Sequence, residues 1–401
     1  MADTSVLEQV ALCYAPFIDR ECSVMATRLS AFPLKSGVAI NVQQFLDAVA
    51  QVWPLEGGKV SLNVLSESLL QDLIGAEPSA NLMVEVPSFM ANDPALSPGL
   101  QALHARGNVL LLKGRPTEQL PRELLPCFTY SIIDLAEDRR LNQGTVAEQH
   151  IASRSIPTVQ SGVRTMAELD QSFGRGVAAV VGWPIDGALV EPKSKTKQDG
   201  QGDLQVIVEL IHRIDREEPM EKMEQTLRRD PTLAFKLLRY INSPAFGLRV
   251  EIQSFAHALM MLGYQRLKRW LALLLATAHK DSKMKPVMFA AVRRGLLMEE
   301  LARTVGDEEM RSEMFICGVF SLLDRMFNQP FSQLLKTVPV PARVVQALGE
   351  GNGPYAPYLD LVRAVENESP FDVCDAAEKL LLGTGEVNRA LLTALGSASK
   401  L

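Results

Sequence analysis

The sequence is poor in the features that mark secreted, membrane and nucleic-acid-binding proteins. Its five cysteines are dispersed and form no C-x-x-C pair, which predicts reduced thiols and no zinc site. No apolar run reaches the ~18 residues of a membrane span, and the N-terminus lacks the basic start and apolar core of a signal peptide. A net charge of −6 gives no overall cationic field for nucleic acid. We therefore expect a cytoplasmic protein without membrane insertion or a nucleic-acid partner.

What is present indicates two globular domains. The chain has 401 residues, of which 47% are hydrophobic and 22% charged, so it is too long for one ordinary core. Strand-length apolar runs occupy 10–14, 60–64, 82–86, 109–112, 130–134 and 177–181, and helical patterns occupy 41–52, 66–74, 95–106 and 166–173. This alternation predicts an α/β fold with buried parallel strands, as an open sheet or a barrel.

The second half reads as helical throughout. A polar, glycine-bearing stretch at 191–203 precedes it and predicts a linker. Asp230 is a predicted N-cap with Pro231 at the first helical position, and this helix ends at Asn242 before a proline. Its apolar face, expected to pack against the helix of Trp270, consists of Leu233, Leu237, Leu238 and Ile241. Gly263 is predicted to end a second helix, and a third carries the stripe Leu267, Trp270, Leu271 and Leu274.

These residues carry a family resemblance. The chain reads D-P-x-L…K-L-L-R-x-x-N-S from Asp230, A-x-x-x-L-G up to Gly263 and L-x-R-W up to Trp270. The string resembles the HDOD family, whose members are all-helical relatives of the HD metallophosphohydrolases without the metal ligands. No histidine here is followed by aspartate, and the position similar to that pair is Leu323-Asp324. The resemblance implies an all-helical HDOD domain over 204–401.

The first half carries a second resemblance, spread over most of residues 8–187. Its landmarks in chain order are 15–19 (A-P-F-I-D), 62–63 (L-N), 84–86 (V-E-V), 107–115, 132–134 (I-I-D), 160–165 (Q-S-G-V-R-T) and 181–183 (V-G-W). They resemble a degenerate EAL domain. Intact EAL domains are TIM barrels that hydrolyse cyclic di-GMP with metal held by carboxylates at the strand ends. The resemblance implies a barrel domain over 1–190, shorter than the typical ~250 residues, with some helices trimmed or missing.

The positions expected to hold metal have changed. By resemblance, the signature glutamate falls on Arg28, the paired aspartates on Lys113 and Gly114, the catalytic lysine on Ile132, and two later glutamates on Ser161 and Arg164. Only Asn63 and Glu85 survive. Two oxygen ligands do not build a catalytic metal site, so we expect no metal, no cofactor and no enzymatic activity.

Two interpretations of the replaced residues stay open. Arg28, Lys113 and Arg164, with Asn63 and Glu85, could form an anion pocket at the barrel mouth suited to a nucleotide phosphate. Alternatively, each cation is solvated or pairs with Glu85 and neighbouring acids.

The two resemblances imply three competing functions. The first is a non-enzymatic bacterial signalling adaptor that binds other signalling proteins. The second is a non-catalytic cyclic di-GMP receptor, and the third is a phosphodiesterase, which the lost ligands disfavour. For an adaptor, Tyr264, Arg266 and Arg269 are candidate contact residues because aromatic and arginine side chains anchor interfaces. The identity of the partner and the presence of a homodimer are left open.

Overall fold

The computed structural model describes residues 6–35, 40–53, 58–116, 119–143, 156–187, 201–227, 255–277, 281–303, 306–338 and 340–398. The predicted Asp230–Asn242 helix and most of the predicted linker at 191–203 lie outside these residues. No helix in the described ranges is long and apolar enough to cross a membrane.

Eight strands close into a barrel in sequence order. They are β1 Val10–Ile18, β2 Val24–Pro33, β3 Lys59–Val64, β4 Leu82–Pro87, β5 Val109–Lys113, β6 Phe128–Asp134, β7 Thr158–Ser161 and β8 Ala179–Val181. Every neighbouring pair from β2 to β8 is parallel. The predicted barrel is confirmed, and its strands are buried along most of their length.

The first strand departs from the predicted all-parallel pattern. β1 runs antiparallel to both β2 and β8, and the sequence patterns had not marked β2 as a strand. The connection between β1 and β2 spans residues 19–23, where the Asp19 carboxylate accepts a hydrogen bond from the Ser23 amide at 2.8 Å. A turn this short can only reverse the chain, because a parallel crossover needs a dozen or more residues.

Helices connect most of the parallel strands. They are α1 Val42–Val52, α2 Glu67–Gly75, α3 Ser88–Ala91, α4 Ser97–Ala105, α5 Leu135–Gln143 and α6 Met166–Gly174. Polar side chains begin three of them, since Asn41, Ser66 and Thr165 each accept a hydrogen bond from a first-turn amide. Between β5 and β6, the described residues contain only the short 3-10 turn Leu125–Cys127. This connection fits the expectation of trimmed helices.

From residue 201 onward, the described residues are mainly helical, which confirms the predicted fold class. The helices are α7 Gln201–Asp215, α8 Met220–Leu227, α9 Phe255–Thr277, α10 Lys285–Leu301, α11 Glu308–Phe320, α12 Leu323–Phe327, α13 Phe331–Thr337, α14 Ala342–Val345, α15 Ala356–Glu366, α16 Pro370–Lys379 and α17 Thr384–Ala398. Gly263 interrupts α9 with φ 72° and ψ 171°, a conformation that favours glycine. Leu267, Leu271 and Leu274 are buried, as their stripe predicts.

The chain folds into two compact units. One consists of Met1–Gly187 together with Arg363–Leu392, and the other of Ala188–Val362 together with Thr393–Leu401. From the sequence, we predict a barrel domain over 1–190, a linker over 191–203 and a helical domain over 204–401, and these limits stay predictions. They place the whole C-terminal region in the helical domain. The structure instead groups Arg363–Leu392 with the barrel. Helical periodicity identifies an apolar face but not the core that this face joins.

Candidate functional site

A buried polar cluster lies on the interior face of the first parallel strands. Arg28 and Ser30 of β2 stand in register with Ser61 and Asn63 of β3. Residues two apart in a strand point to the same face, so these four side chains share one side of the sheet. Glu85 of β4 and Lys113, the last residue of β5, complete the group, which we call the mouth cluster.

Arg28 and Glu85 form a two-pronged ion pair within the mouth cluster. Arg28 Nε and Nη2 donate to Glu85 Oε1 and Oε2, each at 2.7 Å, and the Ser61 hydroxyl donates to Oε1 at 3.1 Å. Glu85 is only 1% exposed and Arg28 6%. Burial alone would lower the pKa of Arg28, but the nearby carboxylates of Glu85 and Glu368 raise it. The guanidinium therefore stays charged and neutralises Glu85.

Lys113 begins a chain of hydrogen bonds through the same cluster. Its Nζ donates to Asn63 Oδ1 at 2.7 Å, and Asn63 Nδ2 donates to Ser30 Oγ at 2.9 Å. The Ser30 hydroxyl in turn donates to Glu368 Oε1. Burial lowers the pKa of Lys113, and the Arg28 charge adds to this effect against the opposing attraction of Glu85 and Glu368.

Glu368 closes the network and was missed by the sequence analysis. It lies between α15 and α16, 340 positions after Arg28, and its Oε2 accepts from Arg28 Nη1 at 3.3 Å. The only local signal was the Ser369-Pro370 pair, which marks the start of a helix. That signal gives no information about which cavity the preceding residue enters.

Four of the five residues predicted for an anion pocket meet in the mouth cluster, and Arg164 does not. Arg164 is half-buried and lies two residues before α6, where its Nε donates to Asp186 Oδ2 at 2.8 Å. Its Nη2 donates to Asn367 Oδ1, so it is linked to the cluster only through the neighbour of Glu368. For Arg28, pairing with Glu85 was one of the two open interpretations, and the geometry agrees with it. A binding role for these residues stays a prediction.

The mouth cluster does not fit a carboxylate-held divalent cation. Both oxygens of Glu85 already accept from Arg28, and the Asn63 oxygen accepts from an ammonium group. Hard cations need several available oxygen ligands. Throughout the described ranges, no three histidine, cysteine, aspartate or glutamate side chains are grouped as a metal site.

The three candidate contact residues on α9 have different surroundings. Arg269 donates to both oxygens of Glu299, at 2.5 and 2.6 Å, and its guanidinium lies 4.0 Å from the centre of the Phe315 ring. These contacts make Arg269 part of the packing between α9, α10 and α11. Arg266 is well exposed and lies 3.7 Å from the exposed Glu308, and Tyr264 is half-buried. Their role in partner binding stays a prediction.

Comparison with known proteins assigns residues 204–328 to a family and identifies relatives. A family model described as HDOD domain matches residues 204–328. YuxH of Bacillus subtilis (strain 168) is 24% identical over 329 residues, which cover 80% of this chain and 78% of YuxH. CdgJ, a cyclic di-GMP phosphodiesterase of Vibrio cholerae, is 28% identical over 171 residues, and the match covers only 40% of either protein.

The barrel has similar folds among solved structures. A crystal structure of an EAL domain protein from Listeria monocytogenes EGD-e is similar at 14% identity with a TM-score of 0.33, over 46% of this chain and 91% of that one. Residues 204–328 are thus an HDOD domain, and they follow a closed eight-stranded barrel.

Proposed function

We propose that this protein is a non-enzymatic regulator of bacterial signal transduction that acts as an adaptor through protein–protein interaction. The observation that carries the proposal is the Arg28–Glu85 pair, in which a guanidinium occupies both oxygens of the retained carboxylate. The name of the relative CdgJ supports a place in cyclic di-GMP signalling. In this role, the two folded units provide the surface that binds other signalling proteins.

The chemistry of phosphodiester hydrolysis explains why the pair argues against catalysis. Metal-assisted hydrolysis requires carboxylates that hold a cation, which lowers the pKa of a bound water and neutralises the phosphate. In the mouth cluster, Arg28 and Lys113 bring positive charge to the positions where the EAL resemblance expects carboxylates. A divalent cation placed there would meet two positive side chains and two carboxylates, Glu85 and Glu368, whose oxygens already accept from Arg28 and Ser30.

The hydrolysis test uses the purified full-length chain with cyclic di-GMP in magnesium and, separately, in manganese. We expect no linear dinucleotide above the rate of a protein-free control, because the mouth cluster has no available carboxylate pair. Formation of linear product that a chelator abolishes would contradict the proposal. A chelator-insensitive trace would instead indicate a contaminating activity.

A cyclic di-GMP receptor is the second candidate. Arg28 Nη1, the Ser30 hydroxyl and Lys113 Nζ are donors within one cluster, and phosphate groups bind such donors. Calorimetry with cyclic di-GMP, without and with magnesium, separates the two functions. Binding at micromolar concentration without cleavage favours the receptor, whereas no heat of binding favours the adaptor.

The adaptor function is tested by affinity capture from a bacterial cytoplasmic extract. The wild type is compared with a Tyr264→Ala/Arg266→Ala variant that keeps its melting temperature, and with Lys336→Ala, an exposed substitution elsewhere in the same unit, as a control. We expect the double variant to lose partners that the wild type and the control retain. Equal recovery by all three proteins would place the docking surface elsewhere.

A further inference from the structure

Leu381 combines a strained backbone with an exposed apolar side chain. At the end of α16, the Leu382 amide donates to the Ala377 carbonyl and the Leu381 amide donates to the Glu378 carbonyl, each at 2.9 Å. This pattern is the Schellman motif, whose residue in the left-handed conformation is usually glycine. Leu381 adopts φ 57° there, which is unfavourable for a bulky side chain. It is also 92% exposed, so the strain is held while the side chain lies in solvent.

A second left-handed residue of the same returning segment shows what can balance such strain. Glu368 adopts φ 51° after α15, and its carboxylate accepts from Arg28 and from the Ser30 hydroxyl within the mouth cluster. At its high exposure, Leu381 makes no comparable side-chain contacts with the described part of the chain. Strained conformations concentrate at functional sites. The strain at Leu381 therefore indicates a role for its exposed position.

Leu381 lies at one end of an exposed face of α16. Phe371, Asp375 and Glu378 follow one another at spacings of four and three residues, so they lie on one side of this helix. All three are exposed, and Phe371 is 79% exposed at the other end of the helix. The buried residues of α16 lie on the opposite side. The two exposed apolar side chains are thus separated by about 15 Å along the helix axis.

The polar part of this face is acidic. Residues 370–382 contain the carboxylates of Asp372, Asp375 and Glu378, and their one cation is Lys379. Lys379 Nζ donates to Asp375 Oδ2 at 2.7 Å. Among the described residues, the carboxylates of Asp372 and Glu378 form no ion pair. An exposed surface with unpaired carboxylates attracts cationic groups and disfavours acidic ones.

We propose that Phe371, Asp372, Asp375, Glu378 and Leu381, which we call the α16 face, form a docking surface for a basic amphipathic helix of a partner protein. Two apolar side chains of that helix contact Phe371 and Leu381, and the lysine or arginine side chains between them pair with the carboxylates. A helix suits the spacing because three of its turns span about 16 Å. The inference rests on the adaptor function and names one surface and the chemistry of its partner.

The test measures binding of a fluorescent model helix to the full-length chain. The probe is a helical peptide of leucine and lysine with the leucines on one side, and the comparison peptide carries glutamate in place of every lysine. We expect the leucine–lysine peptide to bind at least tenfold more tightly than the leucine–glutamate peptide. Its affinity should fall as the salt concentration rises, because exposed charges are screened.

Variants of the apolar positions assign the binding to the α16 face. Leu381→Gly removes the exposed side chain and relieves the left-handed backbone, so it is expected to fold. We expect it to weaken binding of the leucine–lysine peptide at least fivefold, and Phe371→Ser should do the same. Met25→Ala is the matched control, since Met25 is an exposed apolar residue of β2 at the opposite end of that strand from Ser30. It should bind as the wild type does.

A charge reversal tests the acidic part of the face. Glu378→Lys should weaken binding of the leucine–lysine peptide at least tenfold, whereas Glu123→Lys, at an exposed position before β6, should change it much less. An absence of binding to the wild type would overturn the proposal, as would equal affinity for the two peptides. Unchanged affinity in folded Leu381→Gly and Phe371→Ser would also overturn it.

Failure of this surface and failure of the adaptor function are distinguishable. Metal-dependent cleavage of cyclic di-GMP by the chain would contradict the non-enzymatic adaptor and would leave the peptide affinities of the variants as they are. Peptide affinities that ignore the α16 face would refute this docking surface, while the extract capture with the Tyr264→Ala/Arg266→Ala variant would still report on the adaptor function.

Discussion

At the scale of single residues, the clearest structural determinant in the barrel unit is Asn388 of α17. Its side chain is fully buried, accepts from the Leu12 amide at 3.0 Å and donates to the Leu7 and Val10 carbonyls at 2.7 Å each. One amide group therefore satisfies three main-chain groups at the start of β1. Only a side chain with both a carbonyl and an NH₂ group can do this.

Replacing Asn388 with leucine should strongly destabilise the barrel unit. Leucine fits the volume but leaves one amide and two carbonyls buried without partners, and each such group costs about 1–3 kcal/mol. We expect a loss of at least about 2 kcal/mol in urea unfolding, since part of this cost relaxes. Arg389→Ala, an exposed neighbour on α17, is the control. Equal unfolding midpoints for the two variants would show that the hydrogen bonds of Asn388 contribute nothing net.

The mouth cluster marks how far sequence reasoning reaches at this scale. Asn63, Glu85 and Lys113 were found because each lies on a strand whose position the resemblance gives, and Arg28 because the signature glutamate of the resemblance falls on it. Glu368 was not found, because its role depends on where a turn lands after long-range folding. A glutamate in the left-handed conformation has no local sequence signature, because the residue type alone does not determine the backbone angle φ.

At the scale of elements, the strand and helix patterns were predicted better than the way the elements pair. The apolar runs at 60–64, 82–86 and 109–112 correspond to β3, β4 and β5 almost to the residue. β2 escaped because its sequence, V-M-A-T-R-L-S-A-F-P, mixes polar and apolar residues on a strand whose interior face carries the mouth cluster. Because the inward-facing residues Arg28 and Ser30 are polar, β2 lacks the continuous apolar run that indicates a buried strand.

Close packing of α10 on α11 gives a prediction for the helical unit. A Cβ atom built on Gly318 of α11 would lie 2.5 Å from the Arg294 carbonyl oxygen and 2.6 Å from the Gly295 nitrogen of α10. Both neighbours are backbone atoms, so relief requires the helices to separate. Alanine normally stabilises a helix by about 1 kcal/mol over glycine, but overpacking costs about 1–3 kcal/mol.

We therefore expect Gly318→Ala to lower the melting temperature of the helical unit despite its better helix propensity. The matched control is Gly75→Ala at the end of α2, where an added Cβ meets nothing within 4 Å. Calorimetric melting of the full chain measures both substitutions. A Gly318→Ala protein as stable as the wild type would mean that the two helices shift apart at no cost.

At the scale of the whole molecule, the chain leaves the barrel unit near residue 187 and returns to it at Arg363. The returning segment brings α16 and most of α17, and it supplies Glu368 to the mouth cluster and Asn388 to the start of β1. Buried apolar residues of the same segment include Val373, Ala377, Val387 and Leu391. The order of strands and helices along the sequence does not reveal that this segment belongs to the barrel unit. Its helices have the same amphipathic pattern as the other helices after residue 204.

Because residues 363–392 belong to the barrel unit, we expect that the barrel does not fold stably without the C-terminal end of the chain. A protein ending at residue 362 keeps every strand of the barrel but loses the partners of Arg28 Nη1 and of three main-chain groups near β1. We expect such a truncation to lose cooperative melting of the barrel. Near-ultraviolet circular dichroism reports this through Trp183, which is 1% exposed and donates to the Tyr14 carbonyl at 3.1 Å. A separate 363–401 fragment added in trans should restore part of the signal, because it replaces those contacts without altering the barrel sequence. If the truncated protein keeps the full signal and melting transition of the intact chain, the returning segment is an accessory to the barrel and not part of its fold.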